Sequence, residues 1–160
     1  MGKMLVSVFF GLIVVMAGVS TAFALQSGGV EIGDLETGSV VGQPFKEIPV
    51  DLTFYALENV GGKSIWYPPF QLLTLAGRPG TPVLFKVTNE TSKDHGFELS
   101  ADARGQGPTS MHIKLVLKPG ETKYIGIPTS DLTYVTAGGV LHYQCHLHAA
   151  HLGGQLRIDK

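Results

Sequence analysis

A single cysteine in 160 residues, Cys145, means that no internal disulfide can form. The thiol is therefore half of an intermolecular bridge, an inert buried group or a ligand. Methionine is scarce too: of four, Met1, Met4 and Met16 lie in the first sixteen residues, which leaves Met111 as the one thioether in the rest of the chain. Neither sign of charge dominates, with 12 Lys and Arg against 13 Asp and Glu. That balance argues against a nucleic-acid partner and leaves no polybasic patch for a membrane surface. The sequence has no internal repeat, and beyond residue 24 it has no apolar pattern of helical period.

What is present begins at the N-terminus. Lys3, an apolar stretch from Leu5 to about Gly18 and the small-residue site Ala22-Phe23-Ala24 together predict a secretory signal cleaved after Ala24. The apolar stretch is shorter than the roughly 20 residues of a spanning helix, so the mature chain is expected to be exported to the periplasm without membrane insertion. Without Lys3 the balance is 11 basic residues to 13 acidic. About 136 residues remain, enough for one domain with a core of its own.

The rest reads as strands separated by turns. Residues 25–49 are rich in Gly and polar side chains and predict an irregular lead-in, so the domain proper is expected over 50–160. Val50 to Ala56 alternates apolar and polar with period two, as a half-buried strand does. Phe70–Leu75, Val83–Thr88, Ile113–Leu117, Thr122–Ile127, Val140–Cys145 and Gln155–Ile158 are further strand candidates. Gly77-Arg78-Pro79-Gly80 and Lys118-Pro119-Gly120-Glu121 carry turn chemistry between them, and a Gly/Ala/Pro-rich loop occupies 100–110. Short strands with Gly and Pro punctuation predict an all-β sandwich.

The chemistry gathers around the lone thiol. Tyr143-Gln144-Cys145-His146-Leu147-His148-Ala149-Ala150-His151-Leu152-Gly153-Gly154 puts imidazoles at i+1, i+3 and i+6 from Cys145, and Asp94-His95-Gly96-Phe97 lies some fifty residues upstream. One soft thiolate and two imidazoles, His95 and His148, are the trigonal set that redox-active copper prefers, one ion per chain, with a weaker ligand outside the plane. Zinc accepts the same atoms, so a structural zinc site is a chemical alternative. Alternation along a strand points His146 away from the metal, toward solvent. His112 and His142 have no spacing that implicates them. Trp66, Tyr67 and Phe70 read as core or surface aromatics rather than as an electron relay.

The order Gly80-Thr81-Pro82-Val83-x-Phe85-x-Val87-Thr88-Asn89, Asp94-His95-Gly96-Phe97, Leu117-Lys118-Pro119-Gly120-Glu121-Thr122 and Tyr143-x-Cys145-x-x-His148 resembles the cupredoxins, over roughly 50–160. The resemblance implies a Greek-key β-sandwich with a type-1 copper held by His95, Cys145 and His148. In short-loop, amicyanin-like cupredoxins an axial Met stands six residues after the cysteine. Here that place belongs to His151, a stronger donor that would favour Cu(II) and a lower potential. Met111, Glu98 or a backbone carbonyl are the other candidates for the axial position.

Three functions fit these residues. The first is an exported electron carrier working with a redox partner protein. The second is copper tolerance alongside copper-handling proteins, since the histidine-rich loop is similar to that of small bacterial cupredoxins associated with copper resistance. The third is a subunit of a copper oxidase or reductase, which His146 beside the cysteine suggests. Gln144 on the other flank, the lack of upstream His-x-His pairs and the single domain speak against catalysis.

Overall fold

The computed structural model describes residues 29–58, 61–78, 80–101, 111–135 and 139–160, with the backbone alone at 134 and 135. The expected leader at 1–24, Pro79 and most of the loop at 100–110 lie outside the described residues. Two five-stranded sheets pack as a sandwich. The first holds β1 (Glu31–Gly33), β10 (Thr122–Ile127), β7 (Val83–Asn89), β4 (Val50–Glu58) and β5 (Ser64–Tyr67), in that order. The second holds β6 (Phe70–Thr74), β12 (Gly154–Asp159), β11 (Val140–Gln144), β8 (His95–Ser100) and β9 (His112–Leu117). A small hairpin of β2 (Ser39–Val40) and β3 (Gln43–Pro44) and one helix, α1 (Thr129–Val135), complete the described elements.

Sequence pattern explains the layers. In β4 the alternation places Leu52, Phe54 and Ala56 inside, facing the second sheet. Phe54 meets Phe97 of β8 at 5.1 Å and Tyr143 of β11 at 4.9 Å between ring centres, which ties the sheets together through aromatic contacts. Tyr143 keeps its hydroxyl satisfied by donating to the carbonyl of Pro68, and burial raises its pKa. Two pairings are parallel, β4 with β7 and β6 with β12, so the chain passes from one sheet to the other between partners instead of turning back in hairpins.

Three regions depart from the sequence reading. Within 29–49, expected to be irregular, β1 extends the first sheet by pairing Ile32 with Ile125. Phe45 and Val40, both fully buried, cover Leu84 on the outer face of the same sheet. The physical cause is the run Val83-Leu84-Phe85: consecutive apolar residues on one strand face opposite ways, and the outward Leu84 needs a cover. Helix α1 buries Leu132, while Asp131 Oδ2 accepts the Gly29 N–H at 2.9 Å. At seven residues it is too short for a 3.6-residue period to register. Strand β5 is four residues set between Gly61-Gly62 and Pro68-Pro69, where punctuation outweighs its β-prone Ile65, Trp66 and Tyr67. No helix among the described residues is long and apolar enough to cross a membrane.

Candidate metal centre

His95 opens β8 and faces Leu117 at the end of β9, so it stands at one end of the second sheet. Its position is fixed from behind by Asn89, which is fully buried at the end of β7. Asn89 Nδ2 donates to the carbonyls of Lys93 (2.7 Å) and Leu117 (3.0 Å), and its Oδ1 accepts from the Thr91 N–H (3.0 Å) and hydroxyl (2.8 Å). One side chain thus holds the turn leading into His95 against two strands. Sequence reading gave Asn89 no role, although an Asn at a strand end before a short polar turn is the residue type that caps such a turn.

Cys145 follows the last residue of β11, whose register pairs Gln144 with Glu98 of the neighbouring β8. The thiol therefore faces inward beside His95: Sγ lies 3.8 Å from His95 Nδ1 and 3.6 Å from His148 Nδ1. The three donor atoms all lie within 4.8 Å of one another. His95 and Cys145 are buried, and His148 is exposed. Donors bound at 2.0–2.3 Å around one ion at trigonal angles stand about 3.7 Å apart, and the two sulfur–nitrogen separations match that spacing. Burial, followed by the neighbouring His148, lowers the His95 pKa, which leaves its imidazole neutral and its lone pair free for a metal.

His151 completes the loop. Its N–H donates to the His148 carbonyl at 3.0 Å in a tight turn, and its ring lies perpendicular to that of His95, with Nδ1 2.9 Å from His95 Nδ1. Burial, then the adjacent His95, pushes its pKa down to about 4. The other face of the ring stacks on Trp66 of β5 at 5.4 Å and 13°. Beyond it, Leu152 is strapped to β5 by two backbone bonds, Trp66 N–H to the Leu152 carbonyl (2.9 Å) and Leu152 N–H to the Ser64 carbonyl (3.0 Å). Gly153 and Gly154 then let the chain return against β11: a Cβ on Gly153 would run into the Tyr143 carbonyl, and one on Gly154 into the Tyr143 ring and the Pro69 carbonyl.

The other sequence candidates fall elsewhere. Met111 is buried just before His112, which pairs with Ser100, whereas His95 pairs with Leu117. Five residues of β8 at about 3.4 Å each separate the two positions, so Met111 sits at the far end of the strand and is not an axial candidate. Glu98 faces the outer side of β8, where its Oε1 meets His112 Nε2 at 2.6 Å and Lys114 Nζ at 3.1 Å, and its Oε2 accepts from Gln144 Nε2 at 3.1 Å. Burial alone would raise the Glu98 pKa, but the hydrogen bonds from His112, Gln144 and Lys114 outweigh it and hold the carboxylate below its usual range. It too is removed from the axial place. His146 does turn away from Cys145, as alternation requires, yet not into solvent. Its ring lies on Gly96, where an added Cβ would meet it at 2.5 Å; its Nδ1 is buried, and burial lowers its pKa. His142 and His112 are both strand residues on that same outer side, His112 as the partner of Glu98.

No protein-family model matches the chain, and no curated protein matches it in sequence. Among solved structures it is similar to auracyanin from Roseiflexus castenholzii, at 14% identity over 71% of this chain and 99% of that one, with a TM-score of 0.47. It is similar to the purple cupredoxin from Nitrosopumilus maritimus, at 20% identity over 68% and 100%, with a TM-score of 0.43. The multicopper oxidase mgLAC matches at 16% identity and a TM-score of 0.44 over 68% of this chain, which spans only 38% of the oxidase. At these values the functional reading rests on the side chains at the His95 end of the sandwich.

Proposed function

We propose that this chain is a cupredoxin that binds one copper through His95, Cys145 and His148, with His151 as the fourth donor, and passes single electrons without bond chemistry of its own. The observation that carries the reading is the meeting of one cysteine sulfur and two imidazole nitrogens, drawn from residues fifty apart in sequence, at trigonal donor spacing. When bound, the metal would supply the Cu(II)/Cu(I) couple. The protein's part is to hold donors nearly still: β8 and β11 fix His95 and Cys145, Asn89 fixes the approach to His95, and β5 fixes the end of the loop. Burial of His95, Cys145 and His151 keeps water from the inner donors. His148 is the exposed member, flanked by exposed Leu147 and Leu152, and this edge is where an electron would enter or leave toward a redox partner.

Export by the N-terminal leader, a periplasmic location and the division into 1–24, 25–49 and 50–160 belong to the same proposal. So does a share in copper tolerance, which the histidine-rich loop supports. The test is to load the purified protein with one equivalent of Cu(II) and record its visible spectrum. Intense thiolate-to-copper absorption is expected, lost entirely in Cys145→Ser. A colourless wild type that takes up zinc instead would overturn the copper assignment. More than one tightly held copper per chain, with oxidase or nitrite-reductase turnover, would favour the enzyme-subunit reading. Copper sensitivity of a deletion strain with intact respiration would favour tolerance over electron carriage.

A further inference from the structure

We propose that Trp66 is a positioning residue, holding the His151 imidazole as a donor beside the centre and thereby setting its reduction potential; this rests on the copper reading above. The side chain of His151 ends a loop, and two torsions decide where its nitrogens point. One face of the ring is taken by the indole, nearly parallel at 13°, and its Nδ1 edge meets the His95 ring at 90° with the two Nδ1 atoms 2.9 Å apart. Trp66 is itself fully buried and braced edge-on against Phe97 at 5.0 Å and 81°. Its Nε1–H has no hydrogen-bond partner among the described residues, so the indole is oriented by its ring contacts and not by a polar anchor. The backbone of the same residue bonds the carbonyl of Leu152, the residue after His151, and Ile65 bridges to Leu152. One short strand therefore supplies both the plane that His151 leans on and the strap that fixes the chain beside it. Release of the ring would let the nitrogen swing away from His95, weaken donation to Cu(II) and raise the potential.

The test uses the copper-loaded full-length protein. Trp66→Leu should move the charge-transfer spectrum and raise the reduction potential in the direction of His151→Met, whereas Trp66→Phe, which keeps a ring to stack on, should hold both close to wild type. In a His151→Ala background Trp66→Leu should change neither, because the ring it positions is gone. A purely structural role predicts something else: lower thermal stability in both backgrounds and an unchanged spectrum and potential, which would overturn the proposal. If Trp66→Leu does not fold, the Cu(I)-loaded wild type decides by NMR. Cross-relaxation between the Trp66 indole and the His151 ring is expected, and its absence counts against the stack. A wild type without thiolate-to-Cu(II) absorption would sink the copper reading itself, whereas a coloured wild type indifferent to Trp66→Leu would sink only the positioning role.

Discussion

Strand β8 has two sides, and each buries titratable side chains in a different manner. On the outer side the Glu98 carboxylate, only 3% exposed, meets His112, Lys114 and Gln144, so each of its oxygens has a partner. On the inner side His95 and His148 lie against Cys145 and His151 lies against His95, and His95 Nε2 is buried without a hydrogen-bond partner among the described residues. Buried polar groups are costly unless paired, so the inner side forgoes stability that the outer side keeps. The outer cluster is complete as it stands and reads as structural. The inner one brings the Cys145 sulfur and the ring nitrogens of His95 and His148 within 4.8 Å of one another, an arrangement a single metal ion could join.

The largest effect should come from copper binding on the inner side. At free copper a thousandfold above Kd, binding to the folded state alone adds about 4 kcal/mol to stability. Chemical denaturation with and without the metal measures this, and Cys145→Ser should lose most of the gain. Equal stability of loaded and metal-free wild type would erase the distinction between the two sides.

Acid should separate them next. With a folded-state pKa of about 4 against an ordinary 6.5, His151 resists a proton that the unfolded chain accepts. Its contribution is therefore intact above pH 6.5 and is lost as the pH falls through about 4, a change of about 3 kcal/mol in the metal-free protein. His95 and His146, both lowered by burial, act in the same direction. Urea titrations across this range should show the slope, and His151→Leu should remove its largest part; an unaltered slope in that variant would place the cause elsewhere.

The smallest effect belongs to the outer side. Glu98→Gln keeps the shape but takes the charge from His112 and Lys114, each 31% exposed, so a loss of about 1–2 kcal/mol is expected. The spectrum of the copper-loaded variant should match wild type. A spectral change would mean that the two sides of β8 are coupled through the strand.

The same contrast explains what could be read in the sequence. Donor types and loop spacing are local properties, so His95, Cys145 and His148 stood out, and the alternation in β4 and the β-rich runs of β7 and β10 located those strands. Register is not local. That Met111 lies a strand's length from His95, and that Glu98 faces outward, follow only once β8 is paired with β9. Strand β5 was hidden for another reason: four residues between Gly and Pro pairs carry little pattern, and the part they play depends on Leu152, almost ninety residues on. His146 was expected in solvent because alternation gives its direction and not what lies over that side, and here Gly96 leaves room for its ring.

Trp66 has one more consequence. It is the only tryptophan in the sequence, fully screened from water and laid flat on a loop histidine, so all the tryptophan emission of the protein comes from a single chromophore beside the centre. The metal-free protein should fluoresce at the blue end of the tryptophan range, and uptake of Cu(II) should darken it in proportion to occupancy. The chain carries its own optical gauge of loading, readable without a label and at concentrations far below those at which a visible band can be seen.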